Sequence, residues 1–309
     1  MICVLAGGVG AARLLEGIVK VLPPQEVHVI VNTADDSIMH GLHISPDLDT
    51  ITYTLAGMNN IKTGWGLKNE TWNAMDSLEK LGGEAWFRLG DKDLATHLYR
   101  TGRLSRGIGL AQTTAEITRA YDIKVNLLPM SQEKVDTIIT LKNSGEEISF
   151  QEYFVKLHHA VAVSSISFSG SDNAKPGPGV IEAIEKSEKI IVAPSNPIVS
   201  IGPLLSISEI RNSLINRKKD VVAISPIIDG NALKGPADRL MRELGHEASV
   251  LGVAKFYREW ISTLVIDEAD LNHKDAINAL GLECIVTNTI MSKPGIAASL
   301  ASTALGVKS

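Results

Sequence analysis

Cysteine is nearly absent from this chain, with only Cys3 and Cys284 in 309 residues. Both fall in apolar runs at opposite ends of the sequence. That excludes a disulfide-framed secreted scaffold and points to two reduced core thiols in a cytoplasmic protein. Aromatic residues are also scarce, at 5%, so the core must be built from aliphatic side chains. Positive charge is not in excess: 30 Lys and Arg against 35 Asp and Glu give a net charge of −5, which argues against a nucleic-acid surface. No apolar run approaches the roughly 18 residues of a membrane span. The amino terminus enters a strand-like run without the basic, apolar and small-residue zones of a secretory leader. What is plentiful is aliphatic material: at 44% hydrophobic the chain can bury a full core, and it is long for one domain and short for three.

The first thirty-six residues organise the rest. Met1 to Ala6 is a short apolar run, Gly7-Gly8-Val9-Gly10 is a glycine turn, and Leu14, Leu15, Ile18, Val19 and Leu22 recur at helical spacing. Val27 to Val31 then reads as a second buried strand. Strand, glycine turn, helix, strand opens a doubly wound α/β sheet of Rossmann-like type, mostly parallel. Such a turn aims the free N–H groups of the following helix at an anion, with glycine permitting close approach. Arg13 stands where a nicotinamide fingerprint requires its third small residue, and no Lys-Ser/Thr of a P-loop follows. The turn therefore reads as a phosphate or nucleotide site of another kind, or as a tight turn that packs helix on sheet.

Asp35, Asp36, Asp47 and Asp49 fall within fifteen residues, on the loops after the first two strands. One of them, or Ser45, could cap the helix that follows, but four acids beside an anion site require a hard cation, and Mg²⁺ is expected. His40 and His43 lack a third soft ligand and read as polar loop residues.

From Thr63 to Tyr121 helical patterns replace strands: Thr71 to Leu81, Asp91 to Arg100 and Ser105 to Tyr121. The chain thus divides into a Rossmann-like nucleotide-binding catalytic domain, 1–62 plus 124–309, and a helical insertion, 63–123. Trp65, Trp72 and Trp86 are expected in the core of that insertion, while Arg88, between aromatics and the acids Asp91 and Asp93, suits a phosphate or a flat ring. Val135 to Leu141 and Glu147 to Phe150 form a β-hairpin, and Gln151 to His159 a helix. The stretch 164–179 is rich in serine, glycine and proline and reads as a connector or a lid. Further strands are Lys189–Ala193, Asp220–Ile224, Thr263–Ile266 and Cys284–Val286, several leaving through polar exits such as Ser195-Asn196 and Thr287-Asn288.

Ala6-Gly7-Gly8-Val9-Gly10, Val31-Asn32-Thr33-Ala34-Asp35-Asp36, Ser45-Pro46-Asp47-Leu48-Asp49-Thr50, Trp86-Phe87-Arg88-Leu89-Gly90-Asp91-Lys92-Asp93 and Pro194-Ser195-Asn196-Pro197 occur in this order. Together they resemble the 2-phospho-L-lactate transferase family over essentially the whole chain. The resemblance implies an Mg²⁺-dependent transferase of deazaflavin coenzyme F-420 biosynthesis, a pathway of methanogens and some actinobacteria. It would move 2-phospho-L-lactate from lactyl-2-diphospho-5'-guanosine to the terminal ribityl hydroxyl of 7,8-didemethyl-8-hydroxy-5-deazariboflavin (Fo), releasing GMP; some relatives use a phosphoenolpyruvyl donor. The family's acceptor site falls on Asp49 and Arg88, with Asp47 close by. Asp47 and Asp49 are then the expected catalytic acids, and Asp35, Asp47 and Asp49 the metal ligands. Gly7, Gly8, Gly10 and Asn32 fall to the diphosphate, and Ser195, Asn196, Thr287 and Asn288 to the guanosine. Arg13 and Lys175 are either phosphate partners or surface charges. Cell-shape regulators that bind a nucleotide sugar share this fold and offer the alternative reading. A homodimer is a further expectation.

Overall fold

A computed structural model describes residues 1–307. Its centre is a sheet of seven parallel strands: β1 (Ile2–Ala6), β2 (Val27–Val31), β3 (Asn126–Pro129), β4 (Lys189–Val192), β5 (Val221–Ile224), β6 (Thr263–Ile266) and β7 (Glu283–Val286). Across the sheet the order is β7-β6-β5-β4-β1-β2-β3. The chain therefore winds outward from β1 to one edge, crosses back, and winds to the other. This is the doubly wound arrangement read from the sequence, and its switch point lies between β1 and β4.

The strands are mainly apolar because both faces are covered, with polar residues such as Asn126, Lys189 and Glu283 confined to their starts. Cys3, Leu5, Ile190, Val192 and Leu264 point into one core layer, and Ile2, Val4, Ala6, Ile191 and Val265 into the other. The second layer is roofed by helix α1 (Gly8–Val21) and the carboxyl-terminal helix Ile296–Leu305; the first by Val180–Lys186, Ser208–Asn216, Ala237–Glu243 and Val250–Tyr257. Both cysteines are buried free thiols, on strands separated by β4, β5 and β6.

The crossing of α1 with the carboxyl-terminal helix depends on one residue. A Cβ on Gly17 would lie 2.2 Å from the Ala297 carbonyl oxygen. Gly17→Ala is expected to force the two helices apart and, even after its gain in helix propensity, to lower stability by about 2 kcal/mol. Urea unfolding would read this directly; unchanged stability would mean that the helices separate freely.

Between β2 and β3 the chain first makes a hairpin, Ser37–Met39 with Leu42–Ile44, whose tip residues His40 and Gly41 both have positive φ (53° and 76°). That is the geometry of a type I′ turn. Helices α2 (Pro46–Leu55), α3 (Asn73–Lys80), α4 (Asp93–Leu104) and α5 (Leu110–Ala120) follow. Three of these helices lie within 63–123, and the small core there of Met75, Leu89, Leu78 and Phe87 is completed by Ile44 and Leu42 of the hairpin. The expected burial of its tryptophans is not met: Trp65 is 55% and Trp72 38% exposed.

Two other expectations change. The 164–179 stretch is neither connector nor lid, because Val163–Ser169 is the third strand of an antiparallel sheet with Asp136–Leu141 and Glu147–Ser149. Its remainder is pinned to the sheet by the Gly177 N–H, which donates to the Met130 carbonyl. The helix expected over 151–159 is a single wide turn, Glu152–Lys156.

Candidate active site

The carboxyl ends of β1, β2 and β4 meet at the switch point. Gly7 and Gly8 end β1 and start α1, and two glycines are required by what approaches them. A Cβ on Gly7 would lie 2.7 Å from Ser200 Cβ and 2.9 Å from Asp47 Oδ2; one on Gly10 would lie 2.1 Å from the Pro194 carbonyl oxygen. Ser195 clasps the turn from β4: its Oγ accepts from the Gly7 N–H at 3.2 Å and donates to the Gly7 carbonyl at 2.8 Å. It is buried, so its role is to shape the turn rather than to touch a nucleotide. Asn196 likewise turns inward on its own loop, where Oδ1 accepts from the Ile198 and Val199 N–H groups. At the far edge of the sheet the Asn288 side chain accepts from the Ile290 N–H, and the Thr287 N–H donates to Ile266. These residues lie at the carboxyl ends of the strands, but their polar groups mostly satisfy their own turns.

Asn32, fully buried at the end of β2, ties the acids together. Its Nδ2 donates at 3.0 Å to Asp35 Oδ2 and at 3.0 Å to Asp47 Oδ2, while its Oδ1 accepts from the Ala34 N–H. Two carboxylates therefore converge on one amide, and one of them, Asp47, lies directly against Gly7 and Gly8. Burial pushes the Asp35 carboxyl well above its ordinary range, and the neighbouring Asp47 charge adds to it. Burial pushes Asp47 up to about 6, tempered by the Asn32 amide and the Gly8 N–H. Asp35 Oδ1 is buried without a partner. A hard cation would relieve all three conditions, so the pair fits Mg²⁺. Among the described residues no third His, Cys, Asp or Glu joins them. Two carboxylates suffice for Mg²⁺, which keeps waters and takes substrate phosphate oxygens in its remaining positions.

Asp49 departs from the expected metal and acceptor set. It is buried in an ion pair with Arg100 of α4: Arg100 Nη1 donates to Oδ2 at 3.0 Å and Nη2 donates to Oδ1. His97 Nδ1 lies 3.7 Å from Asp49, and its Nε2 3.2 Å from Asp93 Oδ2, to whose other oxygen the Tyr53 hydroxyl donates at 2.5 Å. Burial disfavours the Asp93 charge, yet His97 and Tyr53 hold its carboxyl below the ordinary value. This network joins α2 to α4 and so anchors the insertion beside the acids. Asp36 stands between the two groups. It is held neutral-leaning by burial and accepts from Ser45 Oγ at 2.6 Å, so Ser45 serves Asp36 and does not cap α2. His43, 3.9 Å from Asp36, is pushed down to about 4 by burial and then by Arg100.

Arg88 is not brought to Asp49. It pairs with Asp76 and Glu79 and lies 5.6 Å over the Trp72 ring, on the outer face of the insertion. Lys175 is exposed beside Ser131 and Glu133 at the β3 edge, far along the sheet from the glycine turn. Arg13, by contrast, is on α1 one turn beyond Val9, and the 60–66 loop of the insertion reaches this place: a Cβ on Gly64 would lie 2.8 Å from Val9 Cγ1.

A family model described as 2-phospho-L-lactate transferase CofD matches residues 2–289, a span that contains every element of this site. The chain belongs to the CofD family. It is therefore a member of a transferase family, in agreement with the resemblance read from its motifs. Among curated relatives, a phosphoenolpyruvate transferase of Kitasatospora aureofaciens is 41% identical over 311 residues, covering 99% of this chain and 97% of the relative. A 2-phospho-L-lactate transferase of Methanococcus maripaludis is 36% identical, covering 94% and 93%. A solved structure of a UPF0052-family protein from Bacillus halodurans superposes with a TM-score of 0.65 at 16% identity, covering 98% of both chains, and shows that the CofD chain shares its fold. The described residues include no helix long and apolar enough to cross a membrane.

Proposed function

We propose that this protein transfers a 2-phospho-L-lactyl group from lactyl-2-diphospho-5'-guanosine to the terminal ribityl hydroxyl of Fo, giving F-420-0 and GMP. The observation that carries this reading is the convergence of Asp35 and Asp47 on the Asn32 amide, against a glycine turn at the head of α1. A diphosphate is an apt occupant of that turn, because the first-turn N–H groups of Val9 and Gly10 offer donors and the helix end a partial positive charge. Asp35 and Asp47 would hold Mg²⁺, which when bound neutralises the diphosphate and the charge that develops on the departing GMP.

The protein's own residues position the rest. Asn32 fixes both carboxylates, and Ser195 and Pro194 fix the turn. The acceptor hydroxyl attacks the phosphorus bearing the lactyl group, the bond from that phosphorus to the bridging oxygen of GMP breaks, and the hydroxyl proton passes to Asp47. Asp49 acts through Arg100, as the anchor of the insertion. The exposed Trp72 ring with Arg88 above it offers a flat surface suited to the deazaflavin.

The test is product formation. Purified protein is mixed with Fo, Mg²⁺ and either the lactyl or the enolpyruvyl guanosine diphosphate donor, and the deazaflavin products are resolved by mass. The mass of F-420-0 with GMP release supports the assignment. The dehydro product alone would reassign the donor to the enolpyruvyl compound, and no transfer from either, with retained binding of a nucleotide sugar, would overturn the transferase reading.

A further inference from the structure

Lys234 reaches the start of α1 over Gly64, on the helix face that also carries Arg13. Val9 and Arg13 are four residues apart on α1 and share one face of the helix. Against that face lies Gly64, and a Cβ there would be 3.1 Å from Lys234 Nζ. Lys234 comes from the far half of the chain, two residues after the small hairpin Ile227–Ile228 with Asn231–Ala232, and its Nζ donates to the Thr63 carbonyl at 3.0 Å. One ammonium thus touches the insertion loop and hangs over the turn at once. Among the described residues neither Arg13 nor Lys234 has a carboxylate within 4.0 Å. Lys234 is exposed, and desolvation and then the Arg13 charge press its pKa down. Like charges held together at an anion-binding turn need an anion to make the arrangement favourable.

We propose that Arg13 and Lys234 form a two-cation clamp that grips the donor's diphosphate over the glycine turn, with Lys234 drawing the 60–66 loop of the insertion across it. This rests on the reading of the donor as a nucleoside diphosphate compound. The two groups have different tasks. Arg13 offers a planar fork to phosphate oxygens, and Lys234 exchanges part of its bond to Thr63 for the ligand, so donor binding and loop position are linked. The clamp would add positive charge to a diphosphate that the acidic pair alone would repel. An acceptor would then enter beside a loop already closed by the donor.

Calorimetric titration of inorganic pyrophosphate and of GDP, each with Mg²⁺, into wild type, Arg13→Met, Lys234→Met, Lys234→Arg and the double Met variant tests this. Each Met variant should bind both ligands about 10-fold more weakly and the double variant up to about 100-fold, with Lys234→Arg largely retained. Circular dichroism melts of the ligand-free proteins should coincide, since neither side chain is part of a core. GDP binding that is equal in wild type and double variant overturns the clamp and leaves the transferase reading standing. Pyrophosphate binding that the variants lose, with no added affinity for GDP, keeps the clamp and overturns the guanosine donor. No binding of either ligand to the wild type overturns both.

Discussion

Asp47→Asn is expected to lower turnover by about 10³-fold while making the ligand-free protein more stable. Both effects have one cause. Asn32 holds Asp47 beside Asp35, and burial raises the Asp47 pKa from an ordinary 3.8 to about 6. Between those values the folded state binds more protons than the unfolded chain, so this contribution to stability falls as pH rises through the window. Below about pH 4 the wild type and the Asn variant should therefore match. At pH 7 the variant should lead by about 1–2 kcal/mol, the low end of what the shift implies because Asp47 is half-buried. Urea unfolding across pH 4 to 8 reads the difference, and Mg²⁺ should narrow it by stabilising the wild type alone. A variant no more stable than wild type at pH 7 would mean that the two carboxylates do not strain the fold.

Arg100→Met is the substitution expected to damage the fold most. Arg100 is 2% and Asp49 5% exposed, and the pair is bidentate. Removing the guanidinium leaves an uncompensated carboxylate beside His97 and Asp36, a loss of about 3–5 kcal/mol. Asp49→Asn with Arg100→Met removes the stranded charge as well and should recover most of it. The pair of melts also separates two roles for Asp49. If the double variant is folded and retains turnover, Asp49 is an anchor; if it is folded and inert, Asp49 takes part in the chemistry as its family motif implies.

Why Asp49 and Asp47 part company is simple geometry that the sequence contains. On the first turn of α2 they are two residues apart, about 200° around the helix, and cannot face the same cation. Asp47 looks to the glycine turn and Asp49 to α4. The clustering of four acids was legible, and so was their place at the edge of the sheet. Arg100 was not, because it lies 51 residues from Asp49 on a helix whose buried polar face resembles a solvent face. Lys234 was hidden for the same reason, since nothing local marks a loop lysine that meets Thr63 across 171 residues.

The fold was read best where burial is total. Six of the sheet strands stand out as continuous apolar runs, while β3 escapes because Asn126-Leu127-Leu128-Pro129 is short and ends in proline, which an edge strand tolerates. Val163–Ser169 alternates apolar residues with Ser165, Ser167 and Ser169, the signature of a strand with one wet face, but the serines suggest a linker. The hairpin at Ser37–Ile44 has His40-Gly41 at its tip in place of the more recognisable Asn-Gly.

The clasp between Ser195 and Gly7 joins residues 188 apart in sequence. During synthesis, a chain that has emerged only as far as β3 can pair β1 with β2 and β3 yet has nothing to shape its glycine turn. The anion site comes into being only when β4 docks beside β1, which closes a very long loop and belongs late in folding. Until then the turn lacks its clasp, so its finished geometry is a report that both halves of the sheet have assembled.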